Sequence, residues 1–250
     1  METKLCKLEG QLRLLKAYAV LSAIMFSALI FIAARNPSKK VEFDEIDAHK
    51  INILEANGKV RLAISNSESF PGGTVEGVEL KSRVGTRGAG LLFYNDDGNE
   101  DGGLVYGGKT TDGKPDAFGT LRFDHYKQNE AIGMSYSEND GKRESGFEVW
   151  DQSAIPLSRE FAEQYEKIGL MKDGPEKVEA MKKLRNEHQS ELGWTPRVFV
   201  GRTKADDAAL ILKDTKGKPR IRIAVDNANV PSLQFLDENG KMTAEFPQAK

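Results

Sequence analysis

The chain of 250 residues has a single cysteine, Cys6. One thiol cannot close a disulfide within the chain, and it cannot supply a two- or four-cysteine zinc site. Histidine is almost as scarce. His49, His125 and His188 stand far apart, none has a second histidine at helical ligand spacing, and no H-E-x-x-H motif occurs. An excess of one charge is missing too: 36 basic residues face 38 acidic ones. No basic block is present to track a phosphate backbone, so nucleic acid is not an expected partner. Long runs of low complexity are absent as well, and an apolar share of 39% is enough to bury a core.

One long hydrophobic run stands out against this background. Residues 17–34 read AYAVLSAIMFSALIFIAA, without a charge, between Lys16 and Arg35. As a helix they reach about 27 Å, close to the ~30 Å hydrocarbon core of a bilayer. The run is apolar on every face, unlike a surface helix. A single segment can cross hydrocarbon only as a helix, because lipid offers backbone groups no partner. The sequence therefore predicts a short segment 1–16, a transmembrane helix 17–34 and a juxtamembrane linker 35–42, with the lipid bilayer as first partner. A cleaved signal peptide ending at Ala34 is the alternative, although the run exceeds the usual ~7–15 residues of such a segment. Leu5, Leu8, Leu12 and Leu15 form a stripe that either continues the helix or makes a small self-association seam. Lys4, Lys7, Arg13 and Lys16 before the span nearly balance Arg35, Lys39, Lys40 and Lys50 after it. Long domains translocate largely regardless of flanking charge, so a single-pass protein with an extracytoplasmic C-terminal domain is expected.

Residues 43–250 are written in hairpins. Asn57-Gly58 lies between alternating runs and suits a two-residue type I′ turn, which needs positive φ at both positions. That turn sets Ile53 opposite Leu62 and Ile51 opposite Ile64, so turn chemistry and apolar pattern choose one register. The same test at Asn239-Gly240 pairs Leu233 with Phe246 and Phe235 with Ala244. Further turns of this kind are expected at Asp97-Gly98, Asp112-Gly113 and Asp140-Gly141. The alternation of Ile221, Ile223 and Val225 with polar neighbours reads as a half-buried strand. The fold class is mainly β: an antiparallel hairpin meander, as a sandwich or partly closed barrel. Residues 157–192 interrupt it as a two-helix insertion. Ser158 is placed to cap the first helix, and Pro175 opens the second.

The run FDEIDAHKINILEANGKVRLAISN at 43–66, with LILKDTKGKPRIRIAVDNANVPSLQFLDENGKM at 210–242, resembles a family of uncharacterised bacterial proteins. Its members carry an N-terminal apolar segment and repeated D-x-x-G hairpins. The resemblance implies a bacterial source and no activity.

Asp97, Asn99, Asp101 and Gly102 open like a calcium loop, but its twelfth position is Gly108, without the bidentate glutamate. Asp124 and His125 are neighbours in a strand and point to opposite faces, so the one cannot orient the other. Gly103 to Thr110 matches the spelling of a phosphate loop, but turn chemistry follows it where a helix is required. Asp44, Glu45 and Asp47 read as a solvated strand entrance. Phe93, Tyr94, Tyr106, Phe123, Tyr126, Tyr136, Phe147 and Trp150 read mostly as core. No catalytic, cofactor-binding or metal-binding residue is therefore assigned, and the expectation is not an enzyme. The sequence favours a membrane-anchored structural or protein-interaction domain, binding its own copies or an envelope protein. An envelope ligand-binding module for a sugar or a metal is the alternative.

Overall fold

The structure is a computed structural model that describes residues 2–34 and 40–247, with side chains from Leu8 to Ile30 and from Lys40 onward. The chain forms two compact units, Met1–Asp47 and Ala48–Lys250.

The first unit holds helix α1 (Glu2–Ala34). Within it, Leu8–Ile30 is long and apolar enough to cross a membrane, and none of that stretch is buried against protein. The stretch begins earlier than 17–34. Leu8, Leu12, Leu14 and Leu15 carry the apolar character back past Arg13 and Lys16, so segment 1–16 continues the helix from Glu2. Most of the linker, residues 35–39, and the side chain of Leu5 lie outside what is described.

The second unit is a sheet with a cover. Its strands are β1 (Lys50–Leu54), β2 (Val60–Ser65), β3 (Thr74–Val75), β4 (Val78–Glu79), β5 (Ala89–Tyr94), β6 (Glu100–Thr111) and β7 (Lys114–Asp124). There follow β8 (Glu130–Asn139), β9 (Lys142–Gln152), β10 (Trp194–Arg202), β11 (Ala208–Lys213), β12 (Pro219–Val225), β13 (Pro231–Leu236) and β14 (Met242–Phe246). Helices α2 (Arg159–Gly169) and α3 (Pro175–Glu187) stand between β9 and β10. Twelve strands make one antiparallel sheet in the order β1-β2-β5-β6-β7-β8-β9-β10-β11-β12-β13-β14, while β3 and β4 pair separately. The meander is as expected. It is one continuous ladder whose ends, β1 and β14, are not joined, so the sheet does not close into a barrel.

The expected registers hold: Ile51 pairs with Ile64, Ile53 with Leu62, Leu233 with Phe246 and Phe235 with Ala244. The turns that set them are of two kinds. Asp112-Gly113 and Asp140-Gly141 have positive φ at both positions and link Thr111 to Lys114 and Asn139 to Lys142. These are the two-residue turns expected. At Asn57-Gly58, Asp97-Gly98 and Asn239-Gly240 only the glycine is left-handed. There the amide of Gly58 donates to the Glu55 carbonyl and that of Glu55 to the Lys59 carbonyl, so the loop has three residues. Such a loop is a type I turn closed by a left-handed residue, and the adjoining bulge absorbs the extra residue. The register survives because loop and bulge cancel.

The same loop recurs at 203–207, 214–218 and 226–230. In three of these loops an aspartate leads, and its carboxylate accepts two backbone amides. Asp214 accepts from Lys216 and Lys218, Asp226 from Ala228 and Val230, and Asp237 from Asn239 and Lys241, at 2.8–3.0 Å. At 214–217 and 237–240 this is the physical content of the D-x-x-G spelling: the aspartate caps the turn and the glycine takes the left-handed position, which Asn229 takes in the loop led by Asp226.

The cover lies on one face of β2 and β5–β7. Phe70, from the β2–β5 connection, packs on Ala63 and Leu92, all at most 1% exposed. The helical pair forms a second cluster of Leu157, Phe161 and Leu184, with Val75 from β3 against it. Ser158 Oγ accepts the Phe161 amide at 3.1 Å, as a helix cap. Glu166 ties α2 to the 3-10 turn Lys81–Arg83, accepting the Ser82 amide at 3.1 Å and its hydroxyl at 2.7 Å.

Candidate functional site

Residues paired across an antiparallel ladder share a face, so successive registers trace rows over the whole sheet. Starting at Ile51, one row runs through Ile64, Leu91, Leu104, Leu121 and Met134. It continues through Phe147, Val200, Leu210, Ile223, Leu233 and Phe246. Every one of the twelve strands contributes one apolar residue. A second row lies two residues away on the same face. It includes Ile53, Leu62, Phe93, Phe123, Ile132 and Val149, and then Val198, Leu212, Ile221, Phe235 and Ala244. The row is interrupted only at β6, where Gly102 faces Phe123. Gly102 has φ +113, and a Cβ there would lie 2.2 Å from the Arg122 carbonyl oxygen. Phe93 and Phe123 stack across that gap at 5.8 Å.

No apolar side chain in either row is buried. Ile64, Met134, Phe147, Val200, Ile223 and Phe246 are 36–54% exposed. Tyr106 and Tyr136 flank the first row on the same face and are also exposed. This corrects the expectation that the central aromatics are core. Trp150 is buried, but Tyr106, Phe123, Tyr126, Tyr136 and Phe147 are not. The reason is the cover: Phe70 and the helices lie on the opposite face, which carries Ala63, Leu92 and Val105. An alternating strand reads as half-buried whether its apolar face meets protein or water. Toward β14 the apolar side is concave, lined by Leu210, Ile223, Val225, Leu233 and Phe246.

Beneath the cover, on the opposite face, lies a cavity of about 350 Å³ with a mixed polar and apolar lining. Leu92, Val105, Thr120 and Arg122 form its floor, and Thr74 to Glu76 and Leu157 its roof. Ion pairs are dense in its wall. Arg87 holds Glu100 with both terminal nitrogens, at 2.7 and 3.1 Å, with Arg83 3.8 Å from the same carboxylate. Arg122 donates to Glu130 at 2.8 Å and lies over the Trp150 ring. Lys127 pairs with Glu76 at 3.0 Å. Asp124 also lines the cavity. Burial, and then the charges of Glu100, Glu130 and Asp101, push its carboxyl up to about 8. Burial and the charge of Glu100 likewise push the nearby Tyr94 phenol up to about 12.

The residues singled out in the sequence are dispersed. Asp124 ends β7 and enters the cavity, whereas His125 lies beyond the strand, exposed, and opens the loop 125–129, so the two are not neighbours in a strand. Of the calcium-like loop, Asp97 accepts the Tyr126 hydroxyl, and Asn99 turns to Glu76 at 3.0 Å. Among the described residues no group of three or more His, Cys, Asp or Glu side chains is arranged to hold a metal ion. Gly103 to Thr110 lies within β6, a strand and not a phosphate cradle. Asp44, Glu45 and Asp47 precede β1 in irregular chain.

Sequence reasoning missed both the uncovered face and the cavity. The rows were within reach, since chaining hairpin registers end to end yields them, but that they stay uncovered depends on where Phe70 and the helices pack. The cavity left no local signal, because its walls come from segments spread between Thr74 and Leu157. No family model, no curated protein and no solved structure matches this chain.

Proposed function

We propose that the protein is a membrane-anchored assembly module, structural in role and not an enzyme, whose uncovered sheet face packs on the same face of a second copy. The observation that carries this reading is the pair of apolar rows. A fully exposed large apolar side chain presents about 150–200 Å². On that basis the exposed members of the two rows offer about 800 Å² of apolar surface. The largest apolar patch on an ordinary monomer is about 300–600 Å², and a stable interface buries about 800 Å² per partner. Neither row contains a charge, so the rows are complementary to themselves, and the charged residues of that face, Glu138, Arg143 and Arg202, stand to one side of them. Two such faces stacked about 10 Å apart make a sandwich from two chains, with the two-fold symmetry usual for homodimers.

Helix α1 supports attachment to a bilayer through its apolar stretch. We place the module in a bacterial envelope, with the sheet outside the cytoplasm. A C-terminal tag digested only after the outer barrier is breached supports that side; protection until the inner membrane is lysed reverses it.

Assembly is tested with the full chain in membranes, carrying a photoreactive phenylalanine at Met134 or, as control, at Ser135 on the opposite face. The expected result is an adduct of twice the monomer mass from position 134 and none from 135. Equal adducts from both positions, or none from 134, refute the reading.

A further inference from the structure

The cavity under the cover lies on the opposite face from the apolar rows and owes nothing to the assembly reading. Four basic and four acidic side chains line it. Six of them are engaged with one another, as Arg87 with Glu100, Arg122 with Glu130 and Lys127 with Glu76. Arg83 and Asp124 are left over. Arg83 stands 3.8 Å from Glu100, beyond hydrogen-bond distance, because Arg87 already holds both oxygens of that carboxylate. Among the described residues the Arg83 guanidinium donates no hydrogen bond, and the Asp124 carboxyl has neither a hydrogen-bond nor an ion-pair partner. The two do not meet each other either. Both residues are half-buried, and no polar atom of either is sealed from solvent.

A partly buried charge without a counter-charge is costly, and one end of a suitable guest answers each of these two. An ammonium group takes the place of the proton that Asp124 holds. The surroundings favour this exchange: Glu100 and Asp101 of β6 and Glu130 of β8 set negative charge around the carboxyl and outweigh Arg87. A carboxylate takes the free fork of Arg83, whose planar donors suit two oxygens at once. Neither a simple cation nor a simple anion answers both. Leu92, Val105, Phe118 and Leu157 supply apolar wall for a carbon skeleton, and the volume lies within the ~300–1,000 Å³ of small-ligand pockets. We propose that this cavity binds a small zwitterion of the amino-acid class, its ammonium group on Asp124 and its carboxylate on Arg83.

The test uses the full chain in nanodiscs and isothermal titration calorimetry with alanine, leucine and γ-aminobutyrate. Isoamylamine and isocaproate, which are leucine without its carboxylate and without its ammonium group, serve as single-charge probes. Leucyl-leucine, in a separate arm, tells a free amino acid from a peptide with both ends free. Asp124→Asn and Arg83→Gln each remove one of the two charges. The expected result is saturable binding of at least one zwitterion, tenfold or more tighter than either single-charge probe. Each variant should weaken it tenfold or more with its circular dichroism unchanged. Asp124 must give up the proton that it holds to about 8 before it pairs with an ammonium group, so affinity should rise about tenfold from pH 6 to 7. The proposal falls on any of four results: no zwitterion binds the folded chain, a single-charge probe binds as tightly as the best zwitterion, binding is undiminished in either variant, or affinity is the same at pH 6 and 7.

Discussion

Asp124 makes a quantitative prediction. Its carboxyl ordinarily loses its proton near 3.8, but in the fold it holds the proton to about 8. Between those values the folded state binds one more proton than the unfolded chain. Stability therefore falls as pH rises through this window, by about 1.36 kcal/mol per unit for one retained proton. Below about 4 both states are protonated and the effect vanishes; above about 8 both are ionised and it is constant. Over the whole window the loss is on the order of 6 kcal/mol, and about 3 kcal/mol of it accrues by pH 6. Asp124→Asn replaces the protonated acid by a neutral isostere and removes this dependence. Urea unfolding at several pH values is readable in the fluorescence of Trp150 and Trp194, whose rings stack at 6.2 Å. The variant should gain on the wild type by about 1.36 kcal/mol per unit from pH 5 to 7 and level off above about 8. A difference that stays constant from pH 5 to 8 would mean that Asp124 is ionised in the fold, and would refute the account of its surroundings.

Three further predictions concern the frame. Leu184, at 1% exposure between α2 and α3, should cost about 2–5 kcal/mol as Leu184→Ala, seen as a lowered urea midpoint. Asp237→Ala removes the acceptor of two turn amides in an exposed loop and should cost about 1 kcal/mol, read as a shift in Tm of a few degrees. Gly102→Ala forces a side chain against the Arg122 carbonyl at a φ that L residues rarely adopt. It should cost at least about 1–3 kcal/mol, and hydrogen exchange of the β6 and β7 amides should accelerate before that of β12 and β13.

The fold was legible in the sequence where local chemistry decides it. Ser158, Pro175 and the paired positions Ile53–Leu62 and Phe235–Ala244 each depend on neighbours a few residues away. The turn at Asn57-Gly58 shows the limit of such reasoning. Asn-Gly serves a two-residue turn and a three-residue turn alike, and what separates them is a bulge at Leu54 that no residue announces. Phe147 and Tyr136 show a different limit. Their alternation states which side they share, but only the position of Phe70 and the helices decides which side is covered. The cavity lies further out of reach. Gln128 meets the Ile155 carbonyl, Asn99 meets Glu76, and α2 must dock on the 3-10 turn for the roof to exist.

The strand order has a consequence for how the molecule is made. Each strand of the large sheet pairs only with its neighbours in the chain, so few contacts await a distant partner and little loop-closure entropy opposes any step. The sheet can grow during synthesis, each emerging hairpin templated on the last, with the growing edge moving from β2 toward β14. Only two stretches delay it, the cover before β5 and the helical pair before β10. These same stretches close the cavity, so its roof is complete only after the chain has passed Glu191, when most of its floor already stands.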